Sequence, residues 1–207
     1  MARFPLILSA HPSAWSAAAV SGRREANPPM QACQFCGQST VGWQEPFHLN
    51  DGHDDDRPDN LAVSCPLCHL SQHLNRPEID SEAVLIWLPE MAQGAVNVLT
   101  RHLHLACAAA GLTPAYEDLV RIAPATSPAY RAYQTLHERT SAAALRLGTT
   151  SPRHLGSALL DLEPSDYARR TALLGGIRLL PLGRIFHEGR DVYRDMLSDW
   201  AACPQAA

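Results

Sequence analysis

The sequence predicts an α+β fold, a small cysteine-bearing ββα module followed by a mainly helical region. Three observations predict it. Two identical Cys-x-x-Cys pairs, Cys33–Cys36 and Cys65–Cys68, flank a segment of strand and loop character. A continuous apolar run of strand length, Ala83-Val84-Leu85-Ile86-Trp87-Leu88, stops at Pro89. From Glu90 onward apolar residues recur at helical spacing, between Ser-Pro starts and Gly stops. The expected division is an N-terminal segment over 1–26, the module over 27–88 and the helical region over 89–207.

Taken in order, Phe4 to Leu8 reads as a short edge strand, and Trp15 to Val20 is apolar but irregular. Gly22 to Pro29 is a turn-rich linker broken by Asn27-Pro28-Pro29. Between the cysteine pairs, a half-apolar start at Phe47, a Gly/Asp/Pro loop and then Asn60-Leu61-Ala62-Val63 read as a two-stranded hairpin. The second pair should open a helix from Pro66 to about Asn75. A long helix over Glu90–Ala110 places Val96, Leu99, Leu103, Ala106 and Ala110 on one stripe, with Gly111 as its stop. Ser127-Pro128 is an N-cap with Pro at the first helical position. Its stripe is Tyr133, Leu136, Thr140, Ala143 and Leu147, and Gly148 ends it. Ser151-Pro152 and Glu163-Pro164 start two further helices, the second ending at Gly175-Gly176. Ile177 to Pro181 is too short for a helix, and Arg190 to Ala202 is a last helix with Val192, Met196 and Trp200 on one face.

Composition narrows the function. The chain has 207 residues, 46% hydrophobic and 18% charged, a balance that supports a packed core. No apolar run reaches the roughly 18 residues a membrane span needs. Met1 to Ser16 carries one Arg, a short apolar run and two prolines, which is not a signal-peptide pattern. The expected location is therefore the cytoplasm, or a membrane surface reached through a partner. The net charge of −4 argues against a general nucleic-acid coat, because non-specific affinity comes from neutralising phosphates. All 17 basic residues are Arg, which suits bidentate contacts to acidic partners.

The cysteines point to a metal. In a cytosolic setting they are not a disulfide framework. Zn2+ takes four soft or borderline ligands in a tetrahedron, and each C-x-x-C turn offers two sulfurs to one side of the ion. Cys33, Cys36, Cys65 and Cys68 would close such a site with no open position, so it contributes folding energy rather than chemistry. Cys107, in an apolar helix, and Cys203 are read as inert.

The insert between the pairs offers His48 on a strand, Asn60 at the end of a loop, and His69 and His73 one helical turn apart. This arrangement resembles the zinc-ribbon branch of the HNH (ββα-metal) endonucleases. The resemblance implies His48 as general base, Asn60 as the residue that ties down the loop, and His69 and His73 as ligands of a second divalent metal. A neutral imidazole can take a proton from water, and a divalent cation can stabilise charge at a scissile phosphate. Where that family places Asp or His before the base, this chain has Phe47, which cannot bind a metal. The alternative is that these histidines are structural. His53 is read as a loop residue, and the acidic run Asp51, Asp54, Asp55 and Asp56 as a solvated turn that could nonetheless supply a ligand.

A wider resemblance covers most of the chain. Cys33-Gln-Phe-Cys36-Gly37, Asn60-Leu61, Leu85-Ile86-Trp87-Leu88-Pro89-Glu90 with Gln93 and Asn97, Gly148-Thr149 and Ile177-Arg178-Leu179-Leu180-Pro181 occur in order. Together with His11-Pro12-Ser13-Ala14-Trp15 near the start, they resemble the IcmJ (DotN) family of type IVB (Dot/Icm-type) secretion systems. That resemblance implies a non-enzymatic, zinc-binding component of an inner-membrane coupling complex. Its partners would be the C-terminal extension of the coupling ATPase and other coupling-complex proteins, and it would sit at the inner membrane peripherally. The competing reading is a metal-dependent HNH endonuclease. One Arg, Arg57, against six acids between Gln31 and Gln72 weighs against it, since a DNA-cleaving site usually sits in a positive field.

Overall fold

The computed structural model describes residues 4–11, 32–39, 42–122 and 127–202, and its first regular elements are the strands expected on either side of the acidic loop. Strands β1 (Glu45–His48) and β2 (Leu61–Ser64) pair antiparallel, with His48 opposite Leu61 and Phe47 opposite Ala62. Phe47 and Ala62 turn inward together, as the two-residue period of a strand requires. The expected apolar stretch at Trp15–Val20, the linker at Gly22–Pro29 and Cys203 lie outside the described residues.

The helix expected over Pro66–Asn75 is shorter. Helix α1 is a single turn, Pro66–His69, continued by a 3-10 turn at Leu70–Gln72. The N-terminal segment supplies the reason. The Ser9 N–H donates to the Ser71 carbonyl at 2.8 Å, and the Leu74 N–H donates to the Ser9 carbonyl at 3.2 Å. Those backbone groups therefore bond across the chain instead of continuing the helix. The Phe4–Leu8 segment is accordingly an extended clamp rather than a ladder strand. The Phe4 N–H donates to Gln34, and Leu8 is buried.

Helix α2 (Ile79–Glu82) runs straight into β3 (Ala83–Trp87), the predicted apolar strand. Its partner is β4 (Ile177–Pro181), antiparallel, with Leu85 opposite Leu179 and Val84 opposite Leu180. Strand β3 has buried side chains on both faces, which explains its unbroken apolar sequence. Leu85 and Leu179 face a core with Phe35, Phe47, Leu67 and Trp200, whereas Ile86 and Leu180 face a second core with Val96, Leu119 and Tyr133. Each such fully buried leucine or isoleucine contributes roughly 1.5–3 kcal/mol.

Helix α3 (Gln93–Ala109) lies against β4 and α1 and buries only part of the predicted stripe, with Val96 in the core and Leu103 half-buried against it. Leu99 is 36% exposed and Ala106 is exposed. The inward face carries Gln93, Val96, Asn97, Thr100, Arg101, His104 and Cys107. Several of its polar members meet specific partners, while Thr100 Oγ1, Arg101 Nε and His104 Nε2 are buried without a hydrogen bond. Gln93 bridges both backbone groups of Leu179, Arg101 stacks on Trp200 and bonds Gln38, and His104 Nδ1 meets the Tyr193 hydroxyl at 2.7 Å.

Helix α4 (Tyr116–Ile122) precedes α5 (Pro128–Glu138), whose Ser127 cap accepts from the Tyr130 N–H as predicted. The single helix expected through Leu147 is broken at Arg139, and α6 (Thr140–Leu147) follows. At the break the Arg139 carbonyl accepts from the Trp87 N–H at 3.2 Å, so the strand edge takes a helix acceptor. Tyr133, Leu136 and Ala143 are buried as the stripe requires, and Gly148 ends α6 in the left-handed conformation. Helix α7 (Pro152–Leu160) has its Ser151 cap bonded to the His154 N–H. The segment from Glu163 is two short helices, α8 (Pro164–Ala168) and α9 (Arg170–Leu173). After a small hairpin of β5 (Phe186–His187) and β6 (Arg190–Asp191), α10 (Tyr193–Ala202) buries Tyr193, Met196, Leu197 and Trp200. No helix of the described residues is long and apolar enough to cross a membrane.

Candidate metal centre

The four cysteines converge as the spacing predicts. Their sulfurs all lie within 4.8 Å of one another, and every one of the four residues is buried. Cys36 Sγ and Cys65 Sγ are 3.8 Å apart. Two thiolates on a tetrahedral ion, each at about 2.3 Å, would stand about 3.8 Å apart. The first turn is closed by the Gly37 N–H on the Cys33 carbonyl and the Cys33 N–H on the Gln38 carbonyl, with Gly37 at φ +77°. The second is closed by the N–H groups of Cys68 and His69 on the Cys65 carbonyl. Outside the four ligands, Asn97 Nδ2 donates to Cys68 Sγ at 3.3 Å and to the Leu67 carbonyl.

The electrostatics fit a cation. Contacts with the other three cysteines hold the Cys33 thiol well below its ordinary range. Contacts with Cys33 and Cys36, together with burial, push Cys65 and Cys68 well above it. Four sulfurs packed together in a buried site cannot all ionise unless a positive ion joins them. These residues could hold a metal ion such as zinc. Cys107 is buried, and burial raises its thiol, in keeping with an inert role.

A second cluster lies beyond the hairpin. His48, at the end of β1, is 7% exposed, and its Nε2 is 3.1 Å from Asp56 Oδ1. Gln72 brackets its backbone, donating from Nε2 to the His48 carbonyl and accepting at Oε1 from the His48 N–H. Asn60 holds the loop between the strands, accepting from the Asn50 N–H at 3.0 Å and donating to the Asp55 carbonyl at 2.7 Å. His69 Nε2 and His73 Nε2 are 3.0 Å apart despite the shortened helix, and Glu45 Oε2 is 2.6 Å from His69 Nδ1. Phe47 points into the core instead, its ring centroid 4.4 Å from Phe35 and 6.0 Å from His69.

Two loop residues take roles that sequence reasoning missed. His53 is not simply a loop residue, because its ring stands 4.7 Å from His48 and 5.0 Å from His73. Burial and the fields of His48, His69 and His11 push it down to about 4. Burial and neighbouring His69 and His53 likewise push His73 well down, so both are neutral at pH 7. Asp51 is buried at φ +62° and binds Ser9, Gln72, Tyr167 and Arg170 through its carboxylate. The rest of the acidic run divides as the loop folds. Asp55 is clamped by Arg57 and Asn50, Asp56 meets His48, and Asp54 is exposed. The signal for Asp51 was the step after Asn50, where Asp tolerates the left-handed conformation, but no local pattern identifies its partners.

Among the described residues the cysteines are the one group of three or more candidate ligands whose donor atoms converge within 4.8 Å. No protein-family model matches the chain, and no curated protein matches it by sequence.

Proposed function

We propose that this chain is a non-enzymatic, zinc-binding component of a type IVB secretion coupling complex that binds the C-terminal extension of the coupling ATPase. The ordered run of motifs noted in the sequence suggests the family. The observation that carries the non-enzymatic reading is Phe47, buried against Phe35 at the position where the HNH pattern needs a metal ligand. Charge supports it further. Of the arginines around the histidine cluster, Arg170 is bound to Asp51 and Arg76 to Glu82, so neither is free for phosphate. The exposed loop residues Asp54, Asp56 and Asp59 leave the mouth acidic, and an acidic mouth repels DNA. Zinc on Cys33, Cys36, Cys65 and Cys68 would hold the module together, the Arg-bearing helix faces would meet the partner, and the protein would reach the inner membrane only through it.

A second reading, a metal-dependent HNH endonuclease with His48 as general base, is favoured by one observation. Asn60 clamps the loop, and His48, His69 and His73 share one mouth, as that chemistry would require. The test is retention of the purified ATPase extension on immobilised zinc-loaded protein. Specific retention supports the first reading, and no retention alongside metal-dependent DNA cleavage supports the second.

A further inference from the structure

Helix α3 lies flush against both cysteine turns. Gly94, Asn97 and Arg101 fall on one face of it, at i, i+3 and i+7. At Gly94 an added Cβ would stand 3.0 Å from the Phe35 carbonyl oxygen and 3.7 Å from the Cys36 Cα, so the first turn packs directly on the helix backbone. Asn97 reaches the second turn, donating from Nδ2 to Cys68 Sγ at 3.3 Å and to the Leu67 carbonyl at 3.1 Å. Its side-chain oxygen is held in turn by Gln93 Nε2 at 2.9 Å. Arg101 returns to the first turn, donating to the Gln38 side chain and the Ser39 carbonyl, and the Gln38 carbonyl accepts the Cys33 N–H.

Arg101 is the anomaly on this face. It is 2% exposed, stacks on Trp200 and donates only to neutral acceptors. Its Nε has no hydrogen-bond partner. Arg76 and Arg170, which are less buried, are each paired with a buried carboxylate, Glu82 and Asp51. Arg101 has no such partner among the described residues. A guanidinium taken out of water without a counter-charge is strongly destabilising.

The missing negative charge lies beside it. A divalent ion on four thiolates is a doubly negative unit, and the groups around such ligands tune how tightly the ion is held. Tyr193, whose hydroxyl is pushed up chiefly by burial, lies in the fields of both Arg101 and Cys65, so the guanidinium and the sulfurs share one buried neighbourhood. We infer that Arg101 is the counter-charge of the metal-loaded cysteines, with Asn97 as the N–H donor to their sulfur, so that helix α3 is the outer half of the metal centre. The ion then couples the module to the helical region, because its loss strands a buried cation on the helix. The inference rests on the cysteines holding a metal and not on the ATPase reading.

The test uses full-length protein loaded with Co2+ in place of zinc, whose thiolate-to-metal absorption band reports the charge around the sulfurs. Arg101→Met and Arg101→Gln remove the charge, and Arg101→Lys keeps it while losing the planar fork. Both neutral variants should shift the band to longer wavelength, because the sulfur electrons lose a stabilising positive charge. They should also weaken the metal by about 10–100-fold in chelator competition. Arg101→Lys should stay near wild type in both readouts. A packing role alone would weaken the metal without moving the band of fully loaded protein. An unmoved band in either neutral variant, or an equal shift and loss in Arg101→Lys, would overturn the inference. Wild type with no thiolate-to-cobalt band would instead overturn the metal reading on which it rests.

Discussion

Arg170 and Asp51 lie 119 residues apart in sequence and form an ion pair in which both side chains are largely buried. Asp51 is the third residue after His48 and bonds that residue's carbonyl through its own N–H. The pair therefore anchors the loop that carries His53 and Asn60 to helix α9, and Ser9 and Tyr167 join the same carboxylate. A helical segment far along the chain thus pins the start of the loop that carries His53.

Removing one partner of this pair exposes the cost of the other. Asp51→Ala should destabilise the protein by about 3–5 kcal/mol, because Arg170 would remain buried without its carboxylate. Chemical denaturation measures it. A loss under about 1 kcal/mol would show that the pair is solvated and does not anchor the loop.

The cysteine site predicts a coupled loss of metal and fold. Cys65→Ser should lower bound zinc from about one per chain to none and cost several kcal/mol, because metal binding is folding free energy in such sites. Cys107→Ser should leave metal content unchanged. Metal analysis with thermal unfolding checks both, and full stability of metal-free Cys65→Ser would contradict the assignment.

Gly156 decides between two opposing effects. In an exposed helix, Gly→Ala stabilises by roughly 1 kcal/mol. Here an added Cβ would stand 2.8 Å from the Leu74 backbone carbon and 2.9 Å from its oxygen, next to His73. Backbone cannot yield as a side chain can, so Gly156→Ala should destabilise by about 1–3 kcal/mol. Equilibrium unfolding gives the sign.

His104 predicts a pH dependence. It is fully buried, and burial pushes it down to about 3 from an ordinary 6.5. Between those values the unfolded chain binds the proton and the folded chain does not. Stability is therefore complete above pH 6.5 and declines as pH falls toward 3, by on the order of 5 kcal/mol. His104→Gln should flatten that part of the stability–pH curve. An unchanged slope would show that other groups govern it.

Local chemistry made some of this architecture readable. The Cys-x-x-Cys turns, the strands at Phe47 and Leu61, and the Ser127 and Ser151 caps follow from neighbours a few residues away. The β3–β4 pairing was not readable, because two short apolar runs about ninety residues apart carry no mark of each other. The buried face of α3 escaped an apolar-period argument because it is built on Gln93, Asn97, Arg101 and His104, whose partners lie in other elements. The helix at Pro66 is shorter than its local sequence favours because Ser9 competes for its backbone. The i, i+4 spacing singles out His69 and His73, and the resemblance to HNH endonucleases singles out His48 and Asn60, whereas the contacts of His53 with His73 and of Asp51 with Arg170 come from other segments.

The proposed role is partner binding without DNA cleavage. The measurement that tests it most directly pairs capture of the ATPase extension with nicking of supercoiled DNA in Mg2+, Mn2+ or Ni2+, for wild type and His48→Ala. A general base matters only where a proton is transferred in a reaction, and its loss costs an enzyme about two to four orders of magnitude in rate. The account predicts that both proteins capture the extension equally and that neither nicks DNA. Metal-dependent nicking by wild type that His48→Ala abolishes, with no extension captured by either protein, would contradict it.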